Sequence, residues 1–327
     1  MTPIRPVSII VCTRNRAERL PGVINQLRLQ TYPEDAYEII VVDNGSTDAT
    51  ADVVRELAAR PGAPVRYICE SCQGITLARN RGAEAARHPY LTYTDDDCSF
   101  RPDWLAQLVR GFDLDDDVEV VGGQVVLDWD QQEPPAWLGP ELERWLAANR
   151  HLGAQPQVWE KNARVIECNM ALTRAAWLAC GGFLGMEQFG SKHMAAGEVL
   201  YLLVQIERRG GKVAYVPDAI VHHHAGLRSR RWMVRRAYWQ GVSDGLLDYL
   251  VYRRSWLSAL GRAILDAAAM VIFLGVASVS YLAADTPKGL FHSLRAVRRL
   301  GLILSELRLV GDWPRARSWA SAHGSRS

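Results

Sequence analysis

The stretch VSIIVCTRNRAERL, Val7–Leu20, decides how the rest of the chain is read. Its first six residues are mostly apolar and β-branched, and polar TRNR follows at once. Such a run is too short for a signal core or a membrane span, so it reads as a buried β-strand, and no secretory signal is expected. The same texture returns in EIIVVD (38–43), PVRYIC (64–69) and YLTYTD (90–95). Between the first two runs, Ala17–Gln30 sets Leu20, Ile24 and Leu27 at helical spacing. After the second, Thr47–Ala59 puts Val53, Val54 and Leu57 on one face, with GSTD (45–48) supplying a turn and then an N-cap. Strands alternating with helices predict an α/β chain with a doubly wound, mostly parallel, Rossmann-like sheet.

In such sheets ligands sit at the carboxyl ends of the strands, and the polar clusters fall there. The first strand runs into Thr13, Arg14 and Asn15, the second into Asp43, Asn44 and Gly45, the fourth into Asp95, Asp96 and Asp97. Further along, VEVVGGQVVL from Val118 reads as another strand, and the Pro/Trp-rich stretch 133–153 as an irregular loop closing into a helix. Arg164–Leu172 reads as a strand, GEVLYLLVQIERRG from Gly197 as a helix burying Leu200, Val204, Leu203 and Ile206, and Lys212–His224 as one or two strands split at Pro217.

The 327 residues, 48% hydrophobic and 23% charged, suffice for a large globular body with an appendage. Six cysteines include one C-x-x-C, Cys69 and Cys72, without the second pair a zinc site needs. Reduced cysteines in a cytoplasmic setting are the expectation. The net charge of +2 hides an asymmetry: residues 228–327 carry 16 Lys/Arg against 6 Asp/Glu, the remainder 22 against 30. An acidic body, 1–227, is thus joined to a basic extension, 228–327, that suits anionic lipid or a phosphorylated ligand. No nucleic-acid-binding motif is present, and no nucleic-acid partner is expected.

Within that extension RSRRWMVRRAYWQGVSDGLLDYLVYRR reads as a helix with basic and aromatic sides. Ala267–Ala284 follows without a formal charge, flanked by Arg253, Arg254 and Arg262 before it and Arg295, Arg298 and Arg299 after it. As a helix it spans about 27 Å at about 1.5 Å per residue, close to a bilayer's hydrocarbon core. Crossing a membrane, lying on one, and packing against the globular body are all compatible with that pattern. Leu290–Val310 is basic and amphipathic, as for a helix in a membrane interface.

Taken together and in order, VSIIVCTRNR, EIIVVDNGSTDAT, GITLARNRGAEAA and YTDDDC resemble the family 2 glycosyltransferases of the GT-A fold, over roughly residues 6–225. The extension is similar, less specifically, to members from bacterial exopolysaccharide synthesis. The resemblance implies a metal-dependent, inverting transferase of the hexosyl type. It would use a nucleotide-sugar donor, UDP-linked by expectation, and a glycan or lipid-linked sugar acceptor, at the inner face of the bacterial cell membrane. Departure of a diphosphate concentrates negative charge, which a hard cation such as Mn²⁺ or Mg²⁺ held by carboxylates offsets.

By the family pattern Asp97 binds that ion, Asp95 reaches the ribose or a metal-bound water, Asp96 points elsewhere, and His223 completes the metal site. Asp43 accepts from the base, Thr13 and Arg79 frame the nucleotide beside Arg14 and Asn15, and Asn169 borders donor or acceptor sugar. Glu198 matches the first residue of an acidic pair, with Val199 where the second acid is expected, so Glu198 is the candidate general base. A glutamate favourable to the helix dipole is the other reading of that position. Trp137, Trp145 and Trp159 suit sugar stacking or core packing alike. Two other functions stay open at this point: nucleotide-sugar binding without chemistry, which Val199 suggests, and a metal-dependent nucleotidyltransferase or phosphohydrolase.

Overall fold

The computed structural model describes residues 4–129, 133–143, 146, 149, 152–161, 163–185, 197–224, 226, 229–252 and 256–307. The backbone divides into two compact units. The first comprises residues 1–130, 147–184 and 202–225, and the second 131–146, 185–201 and 226–327.

The first unit is built on a nine-stranded sheet. Its strands are β1 (Val7–Thr13), β2 (Tyr37–Asp43), β3 (Val65–Cys69), β4 (Tyr90–Asp95), β5 (Cys98–Phe100), β6 (Val118–Asp128), β7 (Gln157–Trp159), β8 (Met170–Thr173) and β9 (Lys212–His224). The order is β3-β2-β1-β4-β8-β6-β9-β5, with β7 on β9. From β3 to β4 the pairing is parallel, as the alternation of strands and helices predicts. Beyond β4 the sheet is mixed, because β8 runs antiparallel to both β4 and β6. Since β2 and β4 flank β1 on opposite sides, the chain reverses its winding there and opens a crevice at the strand ends.

Both faces of the parallel half are covered, so β1 and β2 are buried at every position. Val7, Ile9 and Val11 share one core with α1 (Leu20–Arg28), α2 (Thr50–Ala58) and α4 (Trp104–Arg110). Ile10, on the opposite face, lies under α3 (Ile75–Ala85). Burying one such side chain fully contributes about 1.5–3 kcal/mol. Helix α3 approaches closely because Gly82 has no side chain: a Cβ there would lie 2.4 Å from Ile10 Cγ2 and 3.1 Å from Val42 Cγ2.

Several elements are shorter than the sequence suggests. Helix α1 begins at Leu20 with Pro21 in its first turn, because the residues before it are tied to a neighbouring loop: Ala17 N–H donates to Asp48 Oδ2 at 3.2 Å. Asp48 Oδ1 in turn accepts from the Thr50 amide (3.1 Å) and hydroxyl (2.6 Å), which starts α2 at Thr50. Of Arg164–Leu172, only Met170–Leu172 is strand; Glu167–Asn169 is a 3₁₀ turn. Lys212–His224 is one strand, whose pairing with β6 shifts register between Val216 and Ile220, around Pro217.

The four-residue α5 (Pro140–Glu143) belongs to the second unit and α6 (Arg174–Ala179) to the first; the boundary between units falls inside α7 (Glu198–Arg208). The buried stripe of α7 is Val199, Leu202, Leu203 and Ile206, whereas Leu200 is 46% exposed. The second unit also contains α8 (Arg230–Tyr252), α9 (Trp256–Leu282) and α10 (Thr286–Glu306), the last packed along both others. Trp145 lies outside the described residues, as do Arg253, Arg254 and the 308–310 end of the amphipathic stretch.

Gly82→Ala forces a methyl group into Ile10 and is expected to destabilise the first unit by about 1–3 kcal/mol, read as a lowered Tm in thermal unfolding. An unchanged Tm would show that α3 can lift off the sheet freely.

Candidate active site

Parallel register sets the rim of the crevice. Thr13 lies opposite Asp43 on β1 and β2, and Cys12 opposite Asp95 on β1 and β4. Strand β4 ends at Asp95, Asp96 and Asp97 turn the chain, and β5 then pairs antiparallel with β9 so that Cys98 faces His223. The His224 amide donates to the Asp97 carbonyl at 2.8 Å. That pairing delivers a histidine from more than a hundred residues away to the acidic turn.

The three carboxylates are held apart by separate partners. Asp96 is buried and accepts from the Thr13 hydroxyl at 2.6 Å, turned away from its neighbours. Asp97 Oδ1 lies 3.4 Å from His223 Nε2. Asp95 Oδ1 lies 4.0 Å from the buried Arg79 guanidinium. One ligand atom each from Asp95, Asp97 and His223 can be chosen with all three within 4.8 Å of one another.

Electrostatics separates the triplet's members. Burial pushes Asp95 up; Arg79 opposes this and the Asp97 charge adds to it. Burial also raises Asp96, against the Thr13 hydrogen bond. Asp97 goes the other way: burial would raise it, but His223, with Arg16 and Arg19, outweighs that and holds it low. His223 is raised, since its hydrogen bond and attraction to Asp97 exceed the effect of burial.

The donor set fits a hard or borderline divalent cation: two carboxylates and one imidazole. The other imidazole nitrogen, Nδ1, is buried and has no hydrogen-bond partner among the described residues.

At the end of β2, both Asp43 oxygens already have donors. The Ser46 amide reaches Oδ1 at 2.8 Å and the Tyr67 hydroxyl reaches Oδ2 at 2.8 Å. Burial, followed by that carboxylate, pushes the Tyr67 hydroxyl far above its ordinary value, so it stays a donor. Each carboxylate oxygen retains acceptor capacity for a ligand N–H.

Other expected site residues lie at varying distances from this chemistry. Arg14 is exposed. Asn15 adopts φ 54°, its side-chain Oδ1 accepting from the Thr47 backbone amide at 2.7 Å and its backbone N–H donating to Ser46 Oγ at 2.9 Å, so it clamps two rim loops together. Asn169, expected beside a sugar, is fully buried: its amide donates to Gln124 and Ala219 carbonyls, and its oxygen accepts from Trp104 Nε1. Those three bonds make it an internal tie between β6, β9 and α4. Trp159 stacks on Tyr215, and Trp137 carries the Arg230 guanidinium 5.8 Å from its ring centre.

In the second unit Glu198 opens α7 behind Gly197, whose φ of 132° a side chain would resist. The Glu198 carboxylate is buried and accepts from the Gly197 amide at 2.9 Å. Four contributors were not singled out from sequence: Arg16 and Arg19, which act on the triplet's charge, Glu167, which acts on Asp95 and His223, and Tyr67. The two arginines were visible in TRNRAER, but no spacing rule marks which arginine of a loop faces an acid.

The family model for Glycosyl transferase family 2 matches residues 8–180, more than half of the chain. The chain belongs to that family. Among curated relatives, it is 28% identical over 307 residues to the succinoglycan biosynthesis protein ExoM of Rhizobium meliloti, covering 91% of each chain. It is 28% identical over 249 residues to a glucosyl-dolichyl phosphate glucuronosyltransferase of Haloferax volcanii, covering 75% of this chain and 78% of the relative. The fold matches a mannosyltransferase from Pyrobaculum calidifontis solved with GDP-Man and Mn²⁺, at TM-score 0.60 and 20% identity, covering 91% and 88% of the two chains. The sheet is therefore a GT-A fold, and the activity class is glycosyl transfer in glycan or polysaccharide biosynthesis. Family membership replaces the nucleotidyltransferase and phosphohydrolase alternatives.

The His223–Asp97 pair makes the metal-free protein pH-sensitive in a defined direction. The raised His223 adds stability that is complete below its ordinary 6.5 and lost as pH rises through the raised value. The lowered Asp97 adds stability present above 3.8 and lost as pH falls through its lowered value. In chelator-treated protein, His223→Gln is thus expected to lower Tm more at pH about 6 than at pH about 9. An equal loss at both would remove the pair from the account.

Proposed function

We propose that this chain moves a sugar, with inversion, from a nucleotide diphosphate donor to a glycan or lipid-linked sugar acceptor at the cytoplasmic face of the membrane. The observation that carries the reading is the convergence of Asp95, Asp97 and His223 at the ends of β4 and β9. These three would hold Mn²⁺ or Mg²⁺, which when bound would stabilise charge on the departing diphosphate. The Mn²⁺ bound by the Pyrobaculum mannosyltransferase supports the choice of ion.

The chain's own groups supply the rest. Asp43 accepts an N–H from the base, which favours uracil or thymine and excludes bases offering only an acceptor at that edge. Tyr67 and Ser46 orient that carboxylate. Thr13 keeps Asp96 out of the ligand set, Arg79 steadies Asp95, and Asn15 fixes the loop that carries Arg14. Asn169 acts indirectly, by fixing β6 against β9. Glu198 takes the proton from the attacking hydroxyl as that oxygen bonds to the anomeric carbon. In this reading Val199 leaves a single acid at the start of α7.

Purified protein with Mn²⁺ is expected to release UDP from a UDP-sugar when an acceptor is present. Asp97→Asn should lower turnover by about a hundredfold or more, and Glu198→Gln by about 10²–10⁴-fold with nucleotide binding retained. Full turnover in either variant removes that residue from its role. Release of GDP in place of UDP or dTDP, in a panel of nucleotide sugars, overturns the base assignment alone.

A further inference from the structure

Helix α9 has its polarity inverted. Ile264, Leu265, Val271, Ile272, Val279 and Leu282 lie on its outer side, with Leu265 70% and Leu282 88% exposed. Its charged residues face inward. Asp266 is buried and pairs with Arg299 of α10, while Arg262 pairs with Asp248 of α8 and, at 3.1 Å, with Glu306 of α10. A soluble protein places apolar residues inward and charges outward; a helix built the other way is solvated by something apolar.

Length and hydropathy allow the segment 258–282 to cross a bilayer, with mean hydropathy 2.1 over its apolar window. Its neighbours argue against crossing. Helix α10 runs back along α9, with Gly289 against Tyr281, the Arg295 guanidinium 4.0 Å from the Phe273 ring centre, and Arg299 at Asp266. Arg295, Arg298 and Arg299 therefore lie level with the middle of α9, and the Arg298 side chain is 46% exposed while paired with Asp244 of α8 at 2.6 Å. A transmembrane α9 would carry these ionised groups to the centre of the hydrocarbon, where partly exposed charge is not tolerated.

We infer that α9 lies in the plane of a bilayer, its outer face sunk into one leaflet, with α8 and α10 on its aqueous side. The occupant of the apolar face is lipid, and anionic lipid in particular. Residues 228–327 carry 16 basic against 6 acidic side chains, an excess a phosphate-bearing headgroup layer complements. The inference stands apart from which sugar or acceptor the first unit handles.

The full chain is tested by flotation with sealed vesicles of phosphatidylcholine alone or doped with phosphatidylglycerol. Flotation with doped vesicles, weakened by high salt and falling at least about tenfold in Val271→Asp/Ile272→Asp and in Leu265→Asp, is the expected result. Both variants alter exposed side chains, and an unchanged Tm shows that they fold. Topology is read from Ser258→Cys and Ala284→Cys, each in a chain with Cys69 and Cys72 changed to serine. A membrane-impermeant maleimide added outside the vesicles labels both ends of an in-plane helix. Protection of one end shows that α9 crosses and overturns the inference. So does absence of flotation, including the case in which the face binds a second copy and the aspartate variants turn a dimer into a monomer in light scattering.

Discussion

Three adjacent carboxylates at the end of a buried strand repel one another, and the first unit is arranged to answer that repulsion. Asp96 is turned back to the Thr13 hydroxyl, Asp97 meets the His223 imidazole, and Asp95 faces a buried guanidinium. Each partner comes from a different element: β1, β9 and α3. The triplet is tolerated only when the sheet is assembled, and assembling the sheet leaves two of the three acids beside His223. The site is thus a by-product of neutralising charge that the sequence places where it would otherwise destabilise the fold.

That constraint explains the mixed sheet. A purely parallel arrangement would bring only strand ends of one kind to the rim. The antiparallel pairing of β5 with β9 brings the chain back past the turn, so that a strand's last residues meet a strand's first. Asn169 stabilises this half by joining β6 and β9 backbones across the core, which is why a polar residue with 0% exposure is tolerated there. Buried polar groups are inexpensive when every hydrogen-bonding atom is matched.

In the second unit ion pairs tie α9 to α8 and α10 while its apolar side is left uncovered. Charge chosen for the inner seam and hydrocarbon for the outer surface reverse the usual ordering of a helical bundle. The same helix in a soluble domain would be expected to expose Arg262 and Asp266. Composition alone, an eighteen-residue uncharged run beyond Asp266, gives no sign of which side faces what.

Much of the first unit was legible from local pattern. The β-branched runs, their intervening amphipathic stretches and the polar residues at three strand ends follow from periods of 2 and 3.6, and periods are local. The family motifs were equally visible, and Asp43, Asp95 and Asp97 sit at the ends of strands whose position the local pattern gives. What pairs with what was decided only in three dimensions. Whether His222, His223 or His224 meets the acids depends on the register between β5 and β9, partners more than a hundred residues apart. Asn169 looked like a ligand-facing polar residue until its hydrogen bonds showed it inside, and Leu200 looked buried until the stripe of α7 ran through Val199 and Leu202 instead. Sequence periodicity says that a residue belongs to a face; burial, charge pairing and the direction of a helix's apolar side are properties of the neighbours, and neighbours distant along the chain are chosen by packing.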